Sequence, residues 1–119
     1  MSMVRSLGQV CLSGIFILGG ANAFAQPGPR TDKVANAGIP APKQAVTLNG
    51  AAMVIGGTAL ALNIFPKLAA FLLIGVLIPT TLVGHPFWKE ESESGRKMQQ
   101  TQFLKNLGLI GGLLLVIFG

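Results

Sequence analysis

The chain has 119 residues, half of them hydrophobic and only 11% charged, against the ~25% typical of soluble domains. Its length admits one domain, and the gathering of apolar residues into long blocks makes it an integral membrane protein. The net charge of +5 does not indicate nucleic-acid binding, because the nine Lys and Arg residues sit between the apolar blocks and no aromatics interleave with them.

The first apolar stretch runs from about Leu7 to Phe24. Two readings of it stand. Met1 to Arg5 resembles the charged start of a secretory signal, Val10 to Leu18 its apolar centre, and AFA before Gln26 its cleavage site. Yet ~18 residues already suffice to cross a bilayer, so an uncleaved helix is the expectation. Cys11 within it is the single cysteine, which excludes an intrachain disulfide, a CxxC motif and a thiolate metal cluster. It reads as a small apolar side chain.

Residues 25 to 45 (AQPGPRTDKVANAGIPAPKQA) carry four of the seven prolines together with Arg30, Lys33 and Lys43. This is a polar loop that cannot form one long helix. Two further apolar stretches follow, at about 46–65 and 68–84, and between them Asn63, Pro66 and Lys67 are the only breakers. The pair is expected to form a tight antiparallel hairpin. Continuous apolar runs without alternation favour helices, whose backbone polar groups are satisfied internally in lipid. Pro79 removes the N–H that would bond the Gly75 carbonyl, so a kink is expected there, with Thr80 or Thr81 compensating.

The next connection opens at Pro86 and continues as KEESESGRKMQQTQ. Glu93 and Lys97, spaced i,i+4, support a short surface helix leading into the fourth span. That span is undersized. Leu107 to Gly119 gives 13 residues, roughly 20 Å of helix. Crossing a ~30 Å core therefore draws Gln102, Lys105 and Asn106 into or near the membrane, a span of about 102–119. Gln99, Gln102 and Asn106 share one helix face. Polar groups at such depth face a bundle interior or a cavity; the other reading is that Lys105 snorkels its ammonium to the interface.

Small residues four apart supply packing seams: Gly108 and Gly112, Ala52 and Gly56, Gly57 and Ala61, Gly19 and Ala23. They predict a compact bundle without separating intrachain packing from a homo-oligomer. Arg30, Lys33, Lys43, Lys89, Arg96, Lys97 and Lys105 fall on one side of the membrane, Arg5 and Lys67 on the other. Positive-inside then places the loops at 25–45 and 86–102 in the cytoplasm and both termini outside.

His85 and Trp88, in GHPFW, are the only residues of their types. His85 ends the third span on the side where the fourth begins, and so is placed near Gln102, Lys105 and Asn106. It can carry a proton, ligate a haem or bond a quinone carbonyl, or it can simply anchor the helix end. Trp88 reads as an interfacial aromatic. With one His and no useful Cys, a metal site has no support. No nucleophile–base pair, P-loop or GxGxxG unit occurs, which points to a subunit or scaffold and away from a stand-alone enzyme.

The segment TLVGHPFWKEESESGRKMQQTQFLKNLGLIGGLLLV resembles the closing half of DoxX family membrane proteins, with an HxFW-type element, a polar loop and FLKN before a Gly-rich helix. LNGAAMVIGGTALALNIFPKLAA resembles that family's second span, and GIFILGGANAFAQPGPR its first span and PGP loop. The resemblance covers nearly the whole chain and implies an all-α, four-transmembrane-helix bundle as a single domain over 1–119. It also implies a subunit of a quinone- or thiol-linked redox or oxidative-stress complex, with a superoxide dismutase and a sulfurtransferase as soluble partners. The matching positions are Gly84 to Trp88 and Phe103 to Asn106. The alternative is a non-redox carrier or scaffold, in which Pro79 and the polar face of the fourth span frame a solute path.

Overall fold

The structure, a computed structural model, describes residues 3–26, 28–84 and 87–119. Five α-helices follow in chain order: α1 (Met3–Ala25), α2 (Gly28–Asn36), α3 (Pro42–Ala61), α4 (Pro66–Gly84) and α5 (Glu93–Phe118). A single 3₁₀ turn, Phe87–Lys89, precedes α5. Among the described residues there is no strand. Four helices, α1, α3, α4 and α5, are long and apolar enough to cross a membrane. The protein is a four-helix integral membrane bundle.

Its outer surface follows from the solvent it faces. Leu18, Leu48, Ile55, Phe71, Leu115 and Phe118 all point outward and are exposed. In water such a surface would aggregate, whereas lipid tails are as apolar as leucine and accept it. Inside, Phe16, Leu60, Leu73, Leu77 and Leu113 are fully buried and tie the four spans together.

With no hydrophobic force between helices in lipid, close approach decides the packing. α1 and α3 cross at Gly20 and Gly50, backbone on backbone. A Cβ built on Gly20 would lie 2.6 Å from the Gly50 carbonyl oxygen, and one on Gly50 would lie 2.7 Å from that of Gly20. Gly57 continues the seam, its Cβ position 2.9 Å from Ile17 Cγ1. One residue earlier, Gly56 faces the other way and admits Leu73 of α4 at 2.9 Å. α3 is therefore the hub between α1 and α4. The remaining seam candidates are placed as follows. Ala52 and Ala61 are half-buried, Ala23 is buried and Gly112 meets Leu12 of α1 at an ordinary 3.5 Å. Gly19 and Gly108 have nothing within 4 Å of a Cβ position.

The turn between α3 and α4 is built by a Schellman motif. Asn63 takes the left-handed conformation (φ 59), Ile64 N–H bonds the Ala59 carbonyl at 2.8 Å and Asn63 N–H bonds that of Leu60 at 3.2 Å. Asn tolerates that conformation better than most residues, and Pro66 at the start of α4 completes the hairpin.

Two segments differ from the reading of the sequence. Residues 28–36 of the Pro-rich loop form the nine-residue α2, closed by a second Schellman turn at Gly38 (φ 81), where Ile39 N–H bonds the Val34 carbonyl. The prolines flank this helix, and only its first turn contains one, where no N–H is needed. Likewise, the surface helix and the fourth span are one 26-residue helix. Ser92 caps it, accepting from Gly95 N–H at 3.0 Å, and Glu93 pairs with Lys97 at 3.4 Å. Arg96 to Gln100 and Gln102 are good helix formers and carry the helix past Gly95 and Thr101 into the membrane.

Candidate binding cavity

Pro79 sits inside α4, and the two threonines after it organise the site. Each hydroxyl donates to the carbonyl four residues back, Thr80 Oγ1 to Val76 and Thr81 Oγ1 to Leu77, both at 2.7 Å. Each also accepts an amide from a different neighbour. Asn49 Nδ2 of α3 donates to Thr80 Oγ1 at 2.7 Å, and Asn106 Nδ2 of α5 donates to Thr81 Oγ1 at 3.0 Å. Consecutive residues on a helix lie ~100° apart, so Thr80 and Thr81 reach neighbours on two sides. The result is a polar clamp across α3, α4 and α5 at one depth.

Beside the clamp opens a cavity of about 630 Å³. Its inner wall is apolar: Phe16, Ala23, Val46, Met53 and Leu77 line it and are buried. Asn49, Thr80 and Asn106 place polar atoms on this wall. Its rim is cationic, formed by Arg30 and Lys33 of α2 and Lys105 of α5, all exposed. Lys105 Nζ donates to Gln102 Oε1 at 2.6 Å, one turn nearer the surface. The cavity draws on the second half of α1, the first half of α3 and the second half of α4, so it opens at the end of the bundle that carries both long loops.

The residues singled out in the sequence are distributed unevenly around it. Lys105 and Asn106 line the cavity, and Asn106 is buried. Gln102 does not line it but holds the Lys105 ammonium. Trp88, half exposed, lies outside the cavity in an edge-to-face cluster with Phe87 and Phe103, ring centroids 5.3 to 5.7 Å apart. His85 lies outside the described residues. Three contributors, Asn49, Arg30 and Lys33, lie outside the candidates that the sequence singles out. Asn49 is an amide in the middle of a span, and the rule that picked out Asn106 picks it out equally. In the sequence Arg30 and Lys33 bear only on orientation; α2, inside the Pro-rich segment, sets them in the cavity lining.

The fold is that of a small all-helical multi-pass membrane protein, with a mostly apolar cavity at the end that carries the two long loops. The DoxX family model matches residues 5–86, more than half of the chain, and the chain belongs to the DoxX family. The match takes in α1 to α4 and reaches His85 and Pro86, while the FLKN segment of α5 lies beyond it. No curated protein and no solved structure matches the chain significantly.

Proposed function

We propose that the protein is the membrane subunit of a quinone- or thiol-linked redox complex in a bacterial plasma membrane, and that its cavity holds the ring of a quinone. The observation that carries this reading is the cavity wall. A quinone presents a flat apolar ring and two carbonyl acceptors, and the cavity offers an apolar wall with the Asn106 amide, which has a second N–H beyond its bond to Thr81, and Lys105 at the rim. Such pockets, mostly apolar with a few placed polar groups, are the usual form of a small-molecule site. His85, close in sequence to the clamp, is proposed to share in the site. The chain acts as one four-helix unit, its two long loops facing the cytoplasm, where a superoxide dismutase or a sulfurtransferase docks. The proposed orientation rests on the Lys and Arg count of those loops.

The test is direct binding of a short-tailed naphthoquinone to the purified protein in neutral detergent, with Asn106→Leu as the comparison. Saturable binding that weakens about tenfold in the variant supports the reading, since one lost hydrogen bond to a buried polar group is worth ~1 kcal/mol or more. A protein that binds no quinone and brings down no redox partner from its native membrane ends it.

A further inference from the structure

The rim of the cavity has a charge that a neutral quinone leaves unused. Arg30, Lys33 and Lys105 converge on it from two helices far apart in the sequence, while among the described residues no Asp or Glu lines the cavity. Asp32 lies on α2 between the two cations but is not part of the lining. Gln102 takes one N–H of the Lys105 ammonium, which leaves that group further donors. Below the cations the wall turns apolar within the same cavity, formed by Phe16, Val46, Met53 and Leu77. Positive rim and apolar base together are the complement of one kind of molecule.

We infer that the cavity binds an amphiphile with an anionic headgroup, a carboxylate or a phosphate, whose acyl chain lies along the apolar wall. Lys and Arg beside a membrane attract such headgroups by charge, and Arg adds two parallel N–H bonds to an oxyanion. α2 is the structural reason the site exists. Its Schellman turn at Gly38 folds the chain back so that the helix packs on α3 and α4, which sets Arg30 and Lys33 over the mouth. This inference rests on the cavity being a binding site, as proposed above, but not on a quinone or a redox role.

The glycines of α1 provide a clean way to test it. Gly19 lines the cavity and a Cβ there meets nothing within 4 Å, so a side chain can start at this position and Gly19→Leu extends into the space. The protein in neutral detergent is titrated with a fluorescent fatty acid, a lysophosphatidic acid of the same chain length, and the matching uncharged fatty alcohol. The expected result is that at least one charged probe binds about tenfold more tightly than the alcohol, a preference set by the rim cations. Which of the two binds better tells a free fatty acid from a phospholipid as the source. Gly19→Leu should weaken the charged probes and the alcohol alike, while R30Q/K33Q/K105Q should abolish only the preference for charge. R30Q/K33Q, confined to the surface helix, should remove part of it even if the triple variant fails to fold.

Equal binding of charged and uncharged probes overturns the inference. So does undiminished binding in Gly19→Leu, and so does inorganic phosphate alone competing as well as the lipid. Naphthoquinone binding without any charge preference defeats this inference and leaves the redox reading standing. Charged-lipid binding without quinone binding does the reverse.

Discussion

The two ends of the bundle both carry polar side chains within apolar helices, yet they use them in opposite ways. At the end with the short turn, Gln9 Nε2 donates to the Leu60 carbonyl at 2.9 Å and to Asn63 Oδ1 at 3.3 Å. Ser13 Oγ donates to the Gln9 carbonyl at 2.6 Å. The two Gln9 bonds tie the C-terminal turn of α3 to α1, and the Ser13 bond lies within α1 beside them. At the other end Asn49 and Asn106 bridge to α4 through the two threonines and face an open cavity. Gln9 gives its amide to the helix end and Asn49 gives both N–H groups to Thr80 and Met53, whereas Asn106 has a second N–H beyond its bond to Thr81. The difference is one of packing, since both ends use the same residue types.

Adjacent glycines in α1 test that difference most sharply. Gly20→Leu drives a side chain into the Gly50 carbonyl and the Met53 side chain, contacts that only backbone movement relieves. Its expected cost is ~3 kcal/mol or more, read as a large fall in thermal stability in detergent. Gly19→Leu, one residue away, enters open space and should leave stability within ~0.5 kcal/mol of the parent or raise it. Equal destabilisation by the two would mean that α1 does not seat on α3 through Gly20.

This pair also shows how far the sequence could be read. Four spans were legible because block length against bilayer thickness is a strong constraint. The seam was not, since GxxxG-type spacing in a chain with 16 glycines selects candidates on several faces and cannot tell Gly19 from Gly20. α2 was hidden because proline content marked its segment as loop, although Gly38 and the run from Arg30 to Asn36 contain a helix and its stop. Asn106 stood out through the short fourth span. Asn49 did not, because its span was long enough to raise no question. Thr80 and Thr81 were seen as repairs to the Pro79 backbone, whereas each hydroxyl also serves as a socket for an asparagine, a role that depends on neighbours no local pattern reveals.

Next in size are the amides. Gln9→Leu removes two bonds at the closed end, but Leu60 keeps its bond from the Asn63 N–H. A loss of ~1 kcal/mol in stability is expected, with ligand binding unchanged. Asn106→Leu removes one bond, and Thr81 keeps its donation to Leu77. Its stability cost should be smaller, about 0.6 kcal/mol, the average for interhelical hydrogen bonds in membranes. Its effect on binding to the cavity should be the larger of the two. Denaturation and ligand titration on both variants check the crossing pattern, and parallel effects would remove the distinction between the ends.

The smallest effect belongs to the part of α5 that leaves the membrane. Glu93 and Lys97 form an ion pair at 3.4 Å with both side chains well exposed, 84% and 75%. Water screens such a pair, and holding two long side chains together opposes it entropically, so the interaction itself contributes only a few tenths of a kcal/mol. Glu93 also lies in the first turn of α5, where its charge favours the helix N-terminus. Glu93→Gln loses both contributions and Lys97→Gln only the first. Stability should therefore fall slightly more in Glu93→Gln, by less than ~1 kcal/mol in total, and high salt should shrink the gap. Helix content measured by circular dichroism across a salt series reads this out. A drop as large as that of Gln9→Leu would show that the start of α5 supports the cavity and is more than an extension of its fourth wall.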